Sequence, residues 1–141
     1  MDKRFWISVV VMFVLSFALS FVVHGLLLGQ DYAPLAQAGV FRTPEASGPF
    51  FPYMVAANLL FAVGTTWIYR QGLDAGKPFL GQGLRFGLAL AVLMTIPTYL
   101  IYYAVTPLPA TLVVKQIVFD TIAIVFMGAA VAALNQPAKT G

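Results

Sequence analysis

Four long runs of apolar residues divide the chain, and short polar or proline-containing segments separate them. A hydrocarbon core of about 30 Å needs roughly 20 apolar residues per helix, and all four runs reach that length. None of them alternates apolar and polar residues at a period of two, as a strand of a membrane barrel would. The pattern therefore predicts an all-α, polytopic membrane protein with four transmembrane helices. The predicted spans are Phe5–Leu28, Phe50–Tyr69, Gly83–Ala104 and Leu108–Leu134.

The connections between these spans predict an antiparallel four-helix bundle that forms one domain, 1–141. The first apolar run is longer than a signal-peptide core of about 7–15 residues, so we expect it to be retained as a span. The connection 29–49 is longer than most and contains Pro34 and Pro44, so it is predicted to be an outer loop. The tight segment Thr106–Pro109 predicts that the last two spans form an antiparallel hairpin.

Composition narrows the class of protein further. Of 141 residues, 60% are hydrophobic and only 9% are charged. A soluble domain carries about 25% charged residues, so too few polar side chains are present to cover a surface in water. The absence of cysteine and the single histidine exclude disulfides, thiolate sites and multi-histidine metal sites. We therefore predict that the chain needs no metal or cofactor.

The positions of the basic residues predict the orientation in the membrane. Cytoplasmic flanks of membrane helices are enriched in lysine and arginine. One side of the predicted bundle collects six of the eight basic residues, and the other side has two, which favours both termini in the cytoplasm of a bacterial inner membrane. These few charges are scattered, so nucleic acid is not expected as a partner. The six are Lys3, Arg4, Arg70, Lys77, Arg85 and Lys139, and the two are Arg42 and Lys115.

Polar side chains inside the spans are the candidate functional residues. At about 1.5 Å per residue, Asp120, Asn58 and Thr95 fall near the middle of their spans and predict one polar layer. Gln116 lies one turn before Asp120 on the same helix face. An ionised residue at this depth costs roughly 2.5–3.5 kcal/mol, so Asp120 should face protein or trapped water. It serves either as a structural hydrogen-bonding group or as a proton or ion site.

Three further polar residues are predicted nearer the outer surface. By the same depth estimate Lys115 and Tyr99 lie about 8–9 Å outward of the centre, and His24 lies about 12 Å outward. Lys115 points about 140° away from Asp120 on the helix, so we expect its ammonium group to extend to the lipid headgroups. His24 is either a histidine satisfied at the interface or part of a proton relay.

Small residues predict where the helices pack most closely. The third span begins with a GxxxG pattern, and the fourth span carries small residues at the same cytoplasmic end, which permits close approach of the two backbones. Pro97 should kink the third span because the carbonyl of Leu93 loses its helical donor. The predicted packing residues are Gly83, Gly87, Ala91, Gly128, Ala129 and Ala132.

Several short patterns resemble a family of small bacterial four-helix membrane proteins of unknown function. They are His24-Gly25-Leu26-Leu27-Leu28 followed by Tyr32, a glycine-led third span with Pro97 and Tyr99, and Asp120 followed by Met127-Gly128. The resemblance covers most of the chain. It implies the four-helix architecture, and it assigns no catalytic residue.

Three functions remain open on the sequence alone. The first is a non-enzymatic accessory or assembly subunit that packs against copies of itself or a larger membrane complex. The second is a small proton- or cation-coupled transporter or channel that uses Asp120. The third is an intramembrane hydrolase, for which Ser20 and His24 are the available nucleophile and base, although no oxyanion hole or third member is evident.

Overall fold

The computed structural model describes residues 1–136. Every regular element within that range is a helix, and no strand occurs there. Four helical stretches are long and apolar enough to cross a membrane, which confirms the predictions of an all-α fold and of four such helices. They are Lys3–Leu27, Pro44–Gln71, Phe79–Val105 and Ala110–Leu134.

Two of these stretches contain a π-helical segment. Residues Phe21–Leu27 form the end of the first stretch, and residues Ala91–Thr95 lie in the middle of the third. The second π segment ends two residues before Pro97, whose nitrogen has no hydrogen to donate. In a π turn the carbonyl of residue i accepts from the N–H of residue i+5. The Ala91 carbonyl accepts in this way from the Ile96 amide, just before the proline. In chain order the α-helices are α1 (Lys3–Ser20), α2 (Gly29–Gln37), α3 (Pro44–Ser47), α4 (Phe51–Gln71), α5 (Phe79–Leu90), α6 (Ile96–Val105) and α7 (Ala110–Leu134).

The connection 29–49, which the sequence predicted as a loop, holds two short α-helices in the structure. Helix α2 accommodates Pro34 and ends before Gly39, which adopts φ +76° in the left-handed region that glycine reaches without steric penalty. Helix α3 begins where the Thr43 hydroxyl accepts a hydrogen bond from the Ala46 amide at 3.3 Å. Helix α2 matters for the site because it turns the chain back toward the bundle.

The backbones of α5 and α7 approach each other at three glycines. A Cβ atom built on Gly83 would lie 2.6 Å from the carbonyl oxygen of Gly128. One built on Gly87 would lie 2.6 Å from the Cα of Val125. These distances leave no room for any side chain, so the two helices touch through main-chain atoms. Ala91 and Ala132 are fully buried, and Ala132 also faces Gly83.

Both ends of the described chain and the turn after α4 meet at one end of the molecule, the terminal end. Asp2 caps α1 by accepting a hydrogen bond from the Phe5 amide, and it also pairs with Arg70 at 2.7 Å. Asn135 donates to the Ser8 hydroxyl at 3.1 Å. The opposite end, the loop end, carries α2 and the segment between α6 and α7. Lys139, one of the residues used above to predict orientation, lies outside the described residues.

Candidate functional site

The centre of the candidate site is the Asp120 carboxylate on α7. The Tyr99 hydroxyl on α6 donates a hydrogen bond to its Oδ2. The same oxygen lies 3.4 Å from Nε2 of His24, in the π segment that follows α1. The Asp120 side chain is only 17% exposed. Three different spans therefore supply an acid, a phenol and an imidazole to one point.

A second set of contacts continues from the other nitrogen of His24. Its Nδ1 lies 2.8 Å from the hydroxyl of Tyr32 on α2. That hydroxyl also accepts a hydrogen bond of 2.9 Å from Nε2 of Gln116, one turn before Asp120 on α7. We call these five residues the polar cluster: His24, Tyr32, Tyr99, Gln116 and Asp120.

Hydrogen-bond directions around the polar cluster are mutually consistent. The hydroxyl of Tyr32 accepts from Gln116, so its own proton is free to be donated to Nδ1 of His24. A neutral imidazole that accepts at Nδ1 carries its proton at Nε2, which faces Asp120. Burial raises the pKa of Tyr32, the bond from Gln116 opposes that shift, and the charge of Asp120 adds to it. Tyr32 therefore stays a protonated hydroxyl and can both accept and donate.

Helix geometry explains why these residues meet. Gln116 and Asp120 are four residues apart and share one face of α7. The π segment Phe21–Leu27 carries His24 on the same side, and α2 then brings Tyr32 back beside it. The depth estimate placed His24 and Tyr99 well outward of Asp120, whereas the structure brings both side chains to its carboxylate. That estimate counted only main-chain rise along straight helices, and it neglected side-chain length and the departure of both helices from regular α geometry.

Lys115 has a protein partner in the structure. Its ammonium group lies 2.9 and 3.0 Å from the two carboxylate oxygens of Asp31 on α2. The expectation that this ammonium group extends to lipid headgroups stays a prediction, and in the structure α2 supplies a neutralising carboxylate. As predicted from the wheel, Lys115 does not contact Asp120.

The remaining midplane candidates lie beside the polar cluster without joining its hydrogen bonds. The Asn58 amide donates to the carbonyl of Met54, one turn earlier in its own helix. Thr95 is buried at the end of the second π segment. Both border a cavity of about 270 Å³ that Asp120 also lines. The three residues predicted to share one polar layer therefore all line one small cavity.

A second, larger cavity lies at the loop end. Its volume is about 1010 Å³, and Tyr32, Gln116 and residues of the segment after α2 line it. His24 and Tyr99 border both cavities, whereas Asp120 borders only the smaller one. The polar cluster therefore lies between the two cavities.

Neither a metal-binding group of side chains nor a hydrogen-bonded serine–histidine pair involving His24 occurs among the described residues. No group of three or more His, Asp or Glu side chains within 1–136 is placed to hold a metal ion. The ring nitrogens of His24 face Tyr32 and Asp120, and Ser20 is not among their partners in that part of the chain. The chemistry that the arrangement offers is proton exchange among an acid, an imidazole and two phenols.

Sequence reasoning did not identify Asp31 and Tyr32 as site residues. Both lie in the segment predicted as a loop, so neither was assigned a depth. A lysine within a membrane span favours a nearby carboxylate, and Asp31 is the acid closest to the outer end of the first span. Comparisons of the chain with protein-family models, with curated proteins and with solved structures found no match.

Proposed function

We propose that this chain is a small proton-coupled transporter or channel of a bacterial inner membrane, and that the polar cluster is its proton site. Asp120 and His24 take up and release the proton. Tyr32 and Gln116 connect the imidazole to the larger cavity, and Tyr99 orients the carboxylate.

The contact of Asp120 with His24, which borders both cavities, carries this proposal. Ionisable residues within membrane spans are rare, and they commonly mark ion or proton pathways. Here the carboxylate contacts a histidine, the side chain that most readily changes charge near neutral pH. A pair of this kind between two spaces can accept a proton from one and release it to the other.

The proposed orientation follows from the basic residues. Lys3, Arg4 and Arg70 lie at the terminal end, and Lys77 belongs to the turn at that end. Placing the terminal end in the cytoplasm satisfies the preference of lysine and arginine for that side. The larger cavity then faces the outer side of the membrane.

Proton flux through the purified full chain in liposomes tests the proposal. A potassium gradient with valinomycin sets the driving force, and a pH-sensitive dye inside the vesicles reports uptake. We expect flux above that of protein-free liposomes, and a loss of about tenfold or more in Asp120→Asn, because the amide cannot take up the proton.

The matched control is Asp74→Asn, which removes a carboxylate of the turn Gly72–Pro78 outside the spans. Its flux should equal that of the wild type. The proposal fails if wild-type protein gives no flux above empty liposomes, or if Asp120→Asn transports as well as the wild type.

An accessory or assembly role is the second candidate, and the exposure of one span favours it. Only 6% of the apolar window in Pro44–Gln71 is buried, against 28% in Lys3–Leu27. A span with so little protein contact has a free face for another helix. Native mass spectrometry in mild detergent tests this role, and a strictly monomeric species without partner chains would count against it.

A further inference from the structure

The larger cavity is bigger than a proton pathway requires, and its lining includes aromatic side chains that a proton does not need. Its volume of about 1010 Å³ is at the upper end of the range found for small-molecule sites, about 300–1,000 Å³. Four aromatic side chains are among the residues that line it: Tyr32, Phe41, Tyr99 and Tyr102. Aromatic faces carry partial negative charge and attract cations as well as apolar groups.

Gln116 gives the cavity an unused hydrogen-bond acceptor. The residue is 4% exposed and borders the cavity. Its Nε2 donates to Tyr32, but its Oε1 has no hydrogen-bond partner within residues 1–136. A buried acceptor without a donor carries a desolvation penalty that no hydrogen bond offsets. A ligand that brings an N–H group to this position would remove that penalty.

The two charged side chains that line the cavity, Arg42 and Glu45, have opposite signs, so Asp120 determines the sign of the net charge nearby when His24 is neutral. Asp31 and Lys115 neutralise each other at 2.9 Å. The guanidinium of Arg42 lies 3.8 Å from the centre of the Phe50 ring, and Glu45 lies at the same rim. Asp120, behind His24 and Tyr99, is then the remaining charge, and only a proton on His24 offsets it.

We propose that the larger cavity binds an amphipathic organic ammonium ion whose charged N–H group lies near Gln116 and whose apolar body packs on the tyrosines. This inference rests on the proposed function, because it takes the proton site as the source of the negative charge. It adds a substrate class: the proton on His24 and the organic cation compete for the same carboxylate. The chain would then exchange one for the other.

The competition predicts a direction for the effect of pH. The groups that face His24 are Asp120 and the hydroxyl of Tyr32, with Tyr99 between the two cavities. A proton gained by the imidazole places a positive charge at the cavity wall and repels an ammonium ion. Binding of the cation should therefore weaken as the pH is lowered.

Binding of three probes of equal size to the full chain in detergent tests the inference. They are a naphthylalkyl ammonium, the corresponding neutral alcohol and the corresponding carboxylate, each titrated by calorimetry. At about pH 8.5 we expect the ammonium to bind about tenfold more tightly than the alcohol, and the carboxylate to bind more weakly still. At about pH 5.5 the affinity for the ammonium should fall about fivefold or more.

Variants locate the binding. Gln116→Leu removes the free acceptor at nearly constant size and should weaken ammonium binding about tenfold. Gln71→Leu makes the same change at the exposed last position of α4, outside the cavity, and should change the affinity less than about twofold. His24→Gln should bind the ammonium with no dependence on pH. Circular dichroism of each variant establishes that the helices are retained, and Gln116→Asn replaces Gln116→Leu if the latter does not fold.

The outcomes separate this inference from the proposed function. Equal binding of ammonium and alcohol, preferred binding of the carboxylate, or an unchanged affinity in Gln116→Leu would overturn it. Proton flux that depends on Asp120, without ammonium binding, leaves the proposed function standing and removes the inference. Ammonium binding with the stated pH dependence, in the absence of proton flux, supports the site and removes the transport role.

Discussion

The ammonium group of Lys115 lies 2.9 Å from Oδ1 and 3.0 Å from Oδ2 of Asp31, so an ion pair ties α7 to α2. Lys115 immediately precedes Gln116, and Asp31 immediately precedes Tyr32. The ion pair and the Gln116–Tyr32 hydrogen bond therefore join the same two helices at adjacent positions. Helix α2 is held over the larger cavity by these two contacts.

Breaking this pair should loosen α2 with little effect on overall stability. The two side chains are 48% and 29% exposed, so their coupling should amount to about 0.2–1 kcal/mol. We expect Asp31→Asn to increase the rate of amide hydrogen exchange in α2, measured by mass spectrometry, while exchange in α5 stays unchanged. A double-mutant cycle with Lys115→Met gives the coupling energy, and a value of zero would show that α2 is held by other contacts.

Enlarging Gly87 should destabilise the contact between α5 and α7. A Cβ atom there would overlap the Val125 main chain. Overpacking of this kind lowers the free energy of unfolding by about 1–3 kcal/mol, because the helices must shift to accommodate the added atom. Gly87→Ala should thus lower the thermal unfolding midpoint in detergent, followed by circular dichroism. Gly64→Ala is the control, because no atom lies within 4 Å of a Cβ built there. Equal midpoints for Gly87→Ala and Gly64→Ala would contradict the close approach.

Removing the Tyr99 hydroxyl should leave Asp120 with one donor fewer. A hydrogen bond to a charged group contributes about 1.5–3 kcal/mol, so Tyr99→Phe should lower the thermal unfolding midpoint in detergent, followed by circular dichroism. Tyr103→Phe, at a residue 47% exposed, serves as the control and should leave the midpoint unchanged. Equal midpoints for Tyr99→Phe and Tyr103→Phe would show that the hydrogen bond to Asp120 does not stabilise the fold.

The pairing of Asp2 with Arg70 should make stability depend on pH in the acid range. The hydrogen bond from Arg70 and the Phe5 amide hold the pKa of Asp2 well below its usual value of 3.8. Because the folded-state pKa is the lower one, the pair stabilises the protein above pH 3.8 and loses this effect as the pH falls below it. Thermal unfolding midpoints of Asp2→Asn should decline less steeply than those of the wild type over this range. Parallel profiles would show that the pair makes no difference.

The sequence predicted the spans well because apolar length is a property of each segment by itself. It also identified Asp120, Tyr99, His24 and Gln116, since polar residues are few in an apolar chain. The contacts among them depend on the π segment Phe21–Leu27 and on α2, which departs from the expected loop. Such features arise from packing between segments that are distant in sequence, so the pattern within a single helix cannot predict them.

Asn58 is a residue whose predicted depth was similar to that of Asp120 but which takes no part in the polar cluster's hydrogen bonds. Its depth matches that of Asp120, yet its amide bonds to its own helix at Met54. Depth specifies how far along the membrane normal a residue lies, whereas contact also requires the correct rotation of each helix. Tyr32 has both the depth and the orientation that contact requires, because α2 folds back against α7. No sequence pattern predicts that α2 folds back in this way.

The main-chain contact between α5 and α7 lies toward the terminal end, and the Tyr99–Asp120 hydrogen bond joins the same two spans farther along. Backbones that already touch at Gly83, Gly87 and Gly128 cannot come closer there. A tilt of one span against the other would therefore change the distance mainly at Tyr99 and Asp120. About two helical turns of α7 separate Gly128 from Asp120, and that length would amplify the change.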